Sequence, residues 1–369
     1  MIEIDGSLLE GGGQVLRMSV ALSALLRKPI RIFNIRGNRS KPGLRAQHMS
    51  GLKLVHQLTG GQLEGCQLHS TQIIYNPPPP PASKSDFNSR IDECNSRILE
   101  YEMDIGNNGA ISLLVQICLP VALYRHQNTE FSLKGGTFGD FAPPMIYCQQ
   151  VLVPLLQKHF GLSLNMQLLQ ESFDMKGGGH VKLEVQPLSS PLKPLNLDQP
   201  LQDSPKILVR SNVSGNAPLT LASKASKAAE TVLQGLNYTI NNEFLPDALG
   251  TAVTIFIKAE LENTILAASK VSQKKNENPN KFGREVAEEI RQTLDLGVPV
   301  DQWMQDQLII YMTLASGCSR LLTGPLTLHT RTAISIAEQL TSAQFKVTTV
   351  EKNKRYVIEC QGIGLSTTK

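Results

Sequence analysis

One fixed order of hydrophobic patterns, strand, helix, strand, helix and two strands, fills residues 1–76 and returns in residues 99–185. In the first copy Ile2 and Ile4 alternate as in a strand, and Glu10-Gly11-Gly12-Gly13-Gln14 makes a turn in which three residues lack a Cβ. Val15, Met18, Leu22, Leu25 and Leu26 then recur at three-to-four spacing, a helix, and Ile30, Ile32 and Ile35 read as a second strand. Leu44, His48, Leu52, Val55 and Leu58 mark a second helix that Gly60-Gly61 stops, followed by strands near residues 62–68 and 72–75. The second copy runs from a strand ending at Ile105 through Gly106-Asn107-Asn108-Gly109, a helix containing Leu113, Gln116 and Leu119, and a strand near Phe131. Gly135-Gly136-Thr137, a helix over 144–160 and strands at 162–168 and 181–185 complete it, with Lys176-Gly177-Gly178-Gly179 in the last turn. A glycine turn opens the first helix each time, the mark of an internal structural repeat.

The rest of the chain follows from that frame. Residues 296–369 supply a helix over 300–316, a strand leading to Leu328, a helix over 332–341 and a terminal strand pair, a third repeat. Residues 187–295 open with an aperiodic Pro-, Ser- and Leu-rich stretch, continue as strands around one helix, and end in a helix over 284–294. The expected fold is therefore α/β (α+β): three βαβαββ repeats in a large domain, residues 1–186 and 296–369, with a smaller inserted α/β domain at 187–295. The run Pro77 to Pro81 reads as a stiff spacer.

Charge narrows the ligand class. The net charge of the 369-residue chain is only +4, yet residues 1–56 hold nine Lys or Arg against Glu3, Asp5 and Glu10, and no acid occurs between Glu10 and Glu64. Local basicity of this kind suits a phosphate-rich ligand. The six cysteines show no CxxC spacing and fit reduced thiols of an intracellular protein. No segment reaches about eighteen uninterrupted apolar residues, so membrane spanning is not expected.

Four features can carry chemistry. The triple glycine lacks the GK[ST] ending of a P-loop and can be a plain tight turn, or it can admit a ligand to bare amides. Glu10, amid so many cations, is either an ion-pair partner or an oxygen ligand for Mg²⁺ on a nucleotide phosphate. Arg36, Arg39, Lys41 and Arg45 surround a Pro-Gly turn, as a solvated basic face or as guanidinium forks for phosphate, and Arg17 lies one helical turn past the glycines. Trp303, the only tryptophan, and Asp306-Gln307 sit near a helix start, where the acid also suits the helix dipole and the ring is either core or a lid for a base. His329, between an apolar strand and a helix opened by Thr330 or Thr332, is either structural or a nucleophile whose imidazole is kept neutral beside a helix N-terminus.

At these residues the chain resembles the RNA 3′-terminal phosphate cyclase family. EGGGQVLR at residues 10–17, RGNRSKPGLRAQH at 36–48, the GGT and APP segments within 135–144, KGGG at 176–179, DQL at 306–308 and the His329 segment occur in family order. The resemblance implies three βαβαββ repeats with an inserted small domain, and an ATP-dependent conversion of an RNA 3′-phosphate to a 2′,3′-cyclic phosphate. It makes His329 the nucleophile that takes up AMP, with Arg17, Arg36 and Arg39 as catalytic cations and Glu10 as ligand of Mg²⁺ or Mn²⁺. It places the adenylate on Gln116, Pro143, Trp303, Asp306, Gln307 and His329, Trp303 standing where tyrosine is usual. RNA with a 3′-phosphate and ATP are the implied partners, with no membrane, and the nucleus the implied compartment, the cytoplasm second. The family also has a non-catalytic branch that acts in ribosome assembly, an alternative that the retained Glu10, triple glycine and His329 oppose. An enolpyruvyl-transferase-like enzyme built on the same repeat would need neither His329 nor ATP.

Overall fold

The computed structural model describes residues 1–79, 98–139, 142–273 and 277–366. Of the run Pro77 to Pro81, Pro80 and Pro81 lie outside them. In the first unit β1 (Ile2–Asp5), α1 (Gly13–Leu26), β2 (Ile30–Phe33), α2 (Ala46–Thr59), β3 (Gln62–Glu64) and β4 (Ile73–Asn76) form a sheet of order β1-β2-β4-β3. β1 and β2 are parallel, which the crossover helix α1 makes possible, and the other pairs are antiparallel.

The second unit repeats this topology. β5 (Leu99–Asp104), α3 (Ile111–Leu123), β6 (Thr129–Gly135), α4 (Met145–Tyr147), a π-helical turn (Cys148–Leu152), α5 (Val153–Phe160), β7 (Leu164–Gln170) and β8 (Gly179–Val185) give the order β5-β6-β8-β7. β5 and β6 are again the parallel pair.

The third unit is split. Its sheet, β15-β16-β14-β9, starts with β9 (Asn196–Leu197) and resumes with α8 (Gln302–Leu314), β14 (Cys318–Thr323), α9 (Leu328–Leu340), β15 (Gln344–Glu351) and β16 (Arg355–Gln361). β9 pairs in parallel with β14, so the stretch read from the sequence as the start of an inserted unit contains the strand that begins the third sheet. Two residues are too few for an alternating pattern, and their partner lies more than a hundred positions away. Between β9 and α8 run β10 (Lys206–Ser214), α6 (Leu219–Leu233), β11 (Asn237–Leu245), β12 (Ala252–Glu260), β13 (Ile265–Ser272) and α7 (Pro279–Asp295), in a sheet of order β11-β10-β12-β13. That unit has its own apolar cluster, in which Ile255 and Ile257 meet Ala225, Phe282 and Ile290. Phe256 and Ala267 belong to the main cluster instead. Alternation along β12 thus presents one face to each core.

Three helix starts differ from the sequence expectation. α7 begins at Pro279 rather than near residue 284, because the Asn278 side chain accepts from the Asn280 N–H and proline suits the first turn. α8 begins at Gln302, capped by Asp301, whose carboxylate accepts from the N–H groups of Trp303 and Met304. Asp306 is therefore past the first turn, buried, and owes nothing to the helix dipole. α9 begins at Leu328 with Thr327 as its cap, so no strand reaches Leu328; β14 stops at Thr323.

Candidate active site

The three glycines after β1 each answer a different local constraint. Gly11 has φ +58°, in the left-handed region that glycine tolerates. A Cβ on Gly12 would overlap the Glu10 carboxylate, and one on Gly13 would lie 2.7 Å from both Arg17 Nη1 and His48 Nε2. Gly12 caps α1 with no side-chain hydrogen bond, and the first turn of α1 holds no acid. The helix N-terminus thus keeps its affinity for an anion supplied from outside.

Chain contacts bring α9 to this turn. The Glu10 N–H donates to Thr332 Oγ1 at 3.3 Å, and Thr332 Oγ1 donates to the Leu328 carbonyl at 2.7 Å. His329, in the first turn of α9, consequently has Nδ1 4.0 Å from Glu10 Oε2. Glu10 is also ion-paired with Arg39, whose guanidinium donates to the Glu10 carbonyl at 3.2 Å as well. The Glu10 side chain is 8% exposed and its Oε2 has no hydrogen-bond partner, whereas the His329 side chain is 48% exposed. Partial desolvation lowers the His329 pKa below its ordinary value; Glu10 opposes that, and Arg17 and Arg39 reinforce it. The ring is neutral near pH 7 and accessible, the state a nitrogen nucleophile needs.

Beside this triad lies a cleft between α1, α3 and α8, lined by Gln14, Arg17, Gln116, Asp306 and Gln307 with Met18, Ile310 and Tyr311. Every residue of α3 is buried except Gln116, the polar side chain that faces the cleft. Arg17 donates to Gln14 Oε1 at 2.7 Å. Gln307 donates to the Trp303 carbonyl at 2.8 Å. Arg17 Nε and Gln307 Oε1 are buried without partners, a donor and an acceptor left for something that enters. Burial pushes the Asp306 carboxyl up to about 7 despite the Arg17 charge, and burial lowers Arg17 while Asp306 and Glu10 hold it up. A charged and a titratable group in a half-closed, low-dielectric cleft are what a polar, phosphate-bearing ligand can exploit.

The structure thus gathers Glu10, Arg17, Arg39, Gln116, Asp306, Gln307 and His329. Trp303 is half-buried against the main core one turn before Gln307. Pro143 is buried just ahead of α4 and is not among the described residues that line the cleft. Arg36 donates to the carbonyls of Lys41 (2.9 Å) and Gly43 (3.0 Å), and Arg45 also holds the Lys41 carbonyl, at 3.0 Å. These two guanidiniums brace the Pro-Gly turn. His48 is buried, accepts from the Arg45 N–H at 3.1 Å, and is depressed to about 3 by burial and by Arg17, Arg36 and Arg45. Among the described residues no three His, Cys, Asp or Glu side chains converge as a metal site. Sequence reasoning missed Thr332 and Asp301. Asp301 Oδ1 accepts from Tyr147 Oη–H at 2.7 Å and Oδ2 from the Ala267 N–H at 2.9 Å, tying α4, β13 and α8 together. Its one available signal was an aspartate directly before a helical pattern.

Comparison with known proteins points to one family. Residues 8–347 match the sequence profile of the family described as RNA 3′-terminal phosphate cyclase. An RNA 3′-terminal phosphate cyclase of Drosophila melanogaster is 34% identical over 375 residues, covering 99% of this chain and 97% of the relative. That of Pyrobaculum neutrophilum is 32% identical, covering 98% and 99%. That of Nitrosospira multiformis is 33% identical, covering 94% of both chains.

Proposed function

The chain belongs to the RNA 3′-terminal phosphate cyclase family and is one of its enzymes, and from that premise we propose that it converts an RNA 3′-phosphate to a 2′,3′-cyclic phosphate through AMP carried on His329. A neutral ring nitrogen of His329 attacks the α-phosphorus of ATP; the N–P bond forms as the P–O bond to pyrophosphate breaks, and pyrophosphate leaves with the electron pair. An oxygen of the RNA 3′-phosphate then attacks the same phosphorus, and the N–P bond breaks. Finally the terminal 2′-hydroxyl attacks the activated 3′-phosphorus, loses its proton, and AMP departs.

Each step crowds negative charge, which Arg17 and Arg39 are placed to neutralise beside the uncapped start of α1. Arg36 acts from behind, by shaping the turn that carries Arg39. Gln116, Asp306 and Gln307 offer donors and acceptors for the base and ribose, with Trp303 and Pro143 as candidates to hold the base by its faces. The orphaned Glu10 Oε2 fits a Mg²⁺ or Mn²⁺ ion that arrives with the nucleotide, since such ions use one or two carboxylates plus phosphate oxygens. A bound ion would supply charge neutralisation on the phosphates.

The observation that carries the reading is the placement of a half-exposed His329 4.0 Å from Glu10 and within electrostatic reach of Arg17, which lines the cleft. Incubation with α-labelled ATP and a divalent ion, followed by denaturing electrophoresis, tests it. Label should stay on the wild-type chain and vanish from His329→Ala. Label retained by that variant overturns the nucleophile, and RNA affinity with neither adduct nor cyclic product would favour a non-catalytic RNA-binding factor.

A further inference from the structure

Gln305 precedes Asp306 and Gln307 in α8 but is not among the residues that line the nucleotide cleft. It is 2% exposed, and its side-chain amide is turned toward the segment that carries His329. Oε1 accepts from the Thr327 N–H at 2.9 Å and from Thr330 Oγ1–H at 2.6 Å. Nε2 donates to Thr323 Oγ1 at 2.5 Å and to the Pro325 carbonyl at 3.3 Å. A carboxamide offers two donor hydrogens and two acceptor lone pairs, so all four positions are used. Every partner lies between the end of β14 and the first turn of α9. Thr323 and Thr330 are fully buried, whereas Pro325 and Leu328 are exposed.

The loop that delivers His329 is held by Leu326 packed on the main core and by this set of polar bonds around the amide. Two of its fixed points, the Thr327 cap and the Thr330 hydroxyl, flank His329 and share one acceptor, Gln305 Oε1. Thr327 Oγ1 in turn accepts from the Thr330 N–H at 3.1 Å, closing the cap of α9 on the same cluster. Gln305 is rigidly joined to Asp306 and Gln307 through the helix they share. A buried amide with every bond satisfied has one low-energy arrangement, and it transmits the position of α8 to the start of α9.

We infer that Gln305 is a positioning residue, which sets the His329 ring against a nucleotide in the cleft without touching that nucleotide. The inference rests on the reading of His329 as the AMP acceptor. It separates binding from chemistry, because losing the amide leaves the cleft side chains in place and displaces only the nucleophile. Misplacement of a reacting group by about 1 Å costs about 100-fold in rate.

The test is single-turnover adduct formation with α-labelled ATP at saturating nucleotide, with affinity measured separately by equilibrium dialysis of labelled ATP. Gln305→Leu, one heavy atom shorter along the side chain, removes all four bonds and keeps the position apolar and branched. Its saturating rate is expected to fall about 100-fold while the ATP dissociation constant changes less than about twofold. Thr330→Val removes one bond at nearly constant shape and is expected to lose about tenfold in the same rate. If Gln305→Leu does not fold, Thr330→Val decides alone. Wild-type saturating rates in the folded variants, or weakened binding with an unchanged saturating rate, would overturn the inference. Failure of the underlying reading looks different, since wild-type protein would then take up no label or His329→Ala would keep it.

Discussion

Replacing Glu10 with glutamine should make His329 a weaker base. The carboxylate Oε2 stands 4.0 Å from Nδ1, and at that distance a unit charge pair is worth about 1 kcal/mol in a water-like dielectric and about 4 kcal/mol at an effective constant of 20. The ring is nearly half exposed, so solvent screening selects the lower figure, about a fivefold change in proton affinity. The sign follows from which form is stabilised: Glu10 favours imidazolium, so removing its charge lowers the pKa further. Release of Arg39 from its ion pair with Glu10 acts in the same direction. Titration of the imidazole Cε1–H resonance by NMR in nucleotide-free protein measures this directly. The signal is identified among seven histidines by its loss in His329→Ala. In wild-type protein the midpoint should lie below the ordinary histidine value of 6.5, and the rate of adduct formation should be flat above it and fall below it. In Glu10→Gln the midpoint should move to lower pH. A midpoint that stays put or rises would refute the electrostatic argument, whatever the variant does to turnover.

Gly13→Ala should leave the chain folded at a cost of about 1–3 kcal/mol, because the new methyl meets Arg17 and the firmly held His48. Adduct formation should fall about 100-fold with it, and full activity in that variant would show that Arg17 need not sit where it does. Asp301→Ala should lower unfolding free energy in urea by about 3 kcal/mol or more, since it removes a helix cap and strands the buried Tyr147 hydroxyl and Ala267 N–H. A change under about 1 kcal/mol would mean that water or a neighbour replaces those bonds.

Much of the site was legible because it sits in short, chemically unusual segments. Glu10, the glycines, Arg17, Arg39 and His329 all come from runs where residue type alone restricts the possibilities. What the chain order could not give was distance: the Glu10 N–H meets Thr332 Oγ1 across 322 positions, and that contact makes a lone histidine part of a triad. Arg36, read from charge and spacing as a phosphate ligand, donates through Nη1 to the carbonyls of Lys41 and Gly43, contacts that chain order does not encode.

The repeat order, the glycine turns and the basic stretch over residues 1–56 belong to the sequence, because hydrophobic period, missing side chains and formal charge are local properties that survive without a fold. Tertiary structure alone decided that β9 starts the third sheet, that Asp306 is buried beside Arg17, and that α9 begins early enough to put His329 in its first turn. Those outcomes depend on partners far along the chain, and on the free energy of burying charge where they meet, which no local pattern encodes.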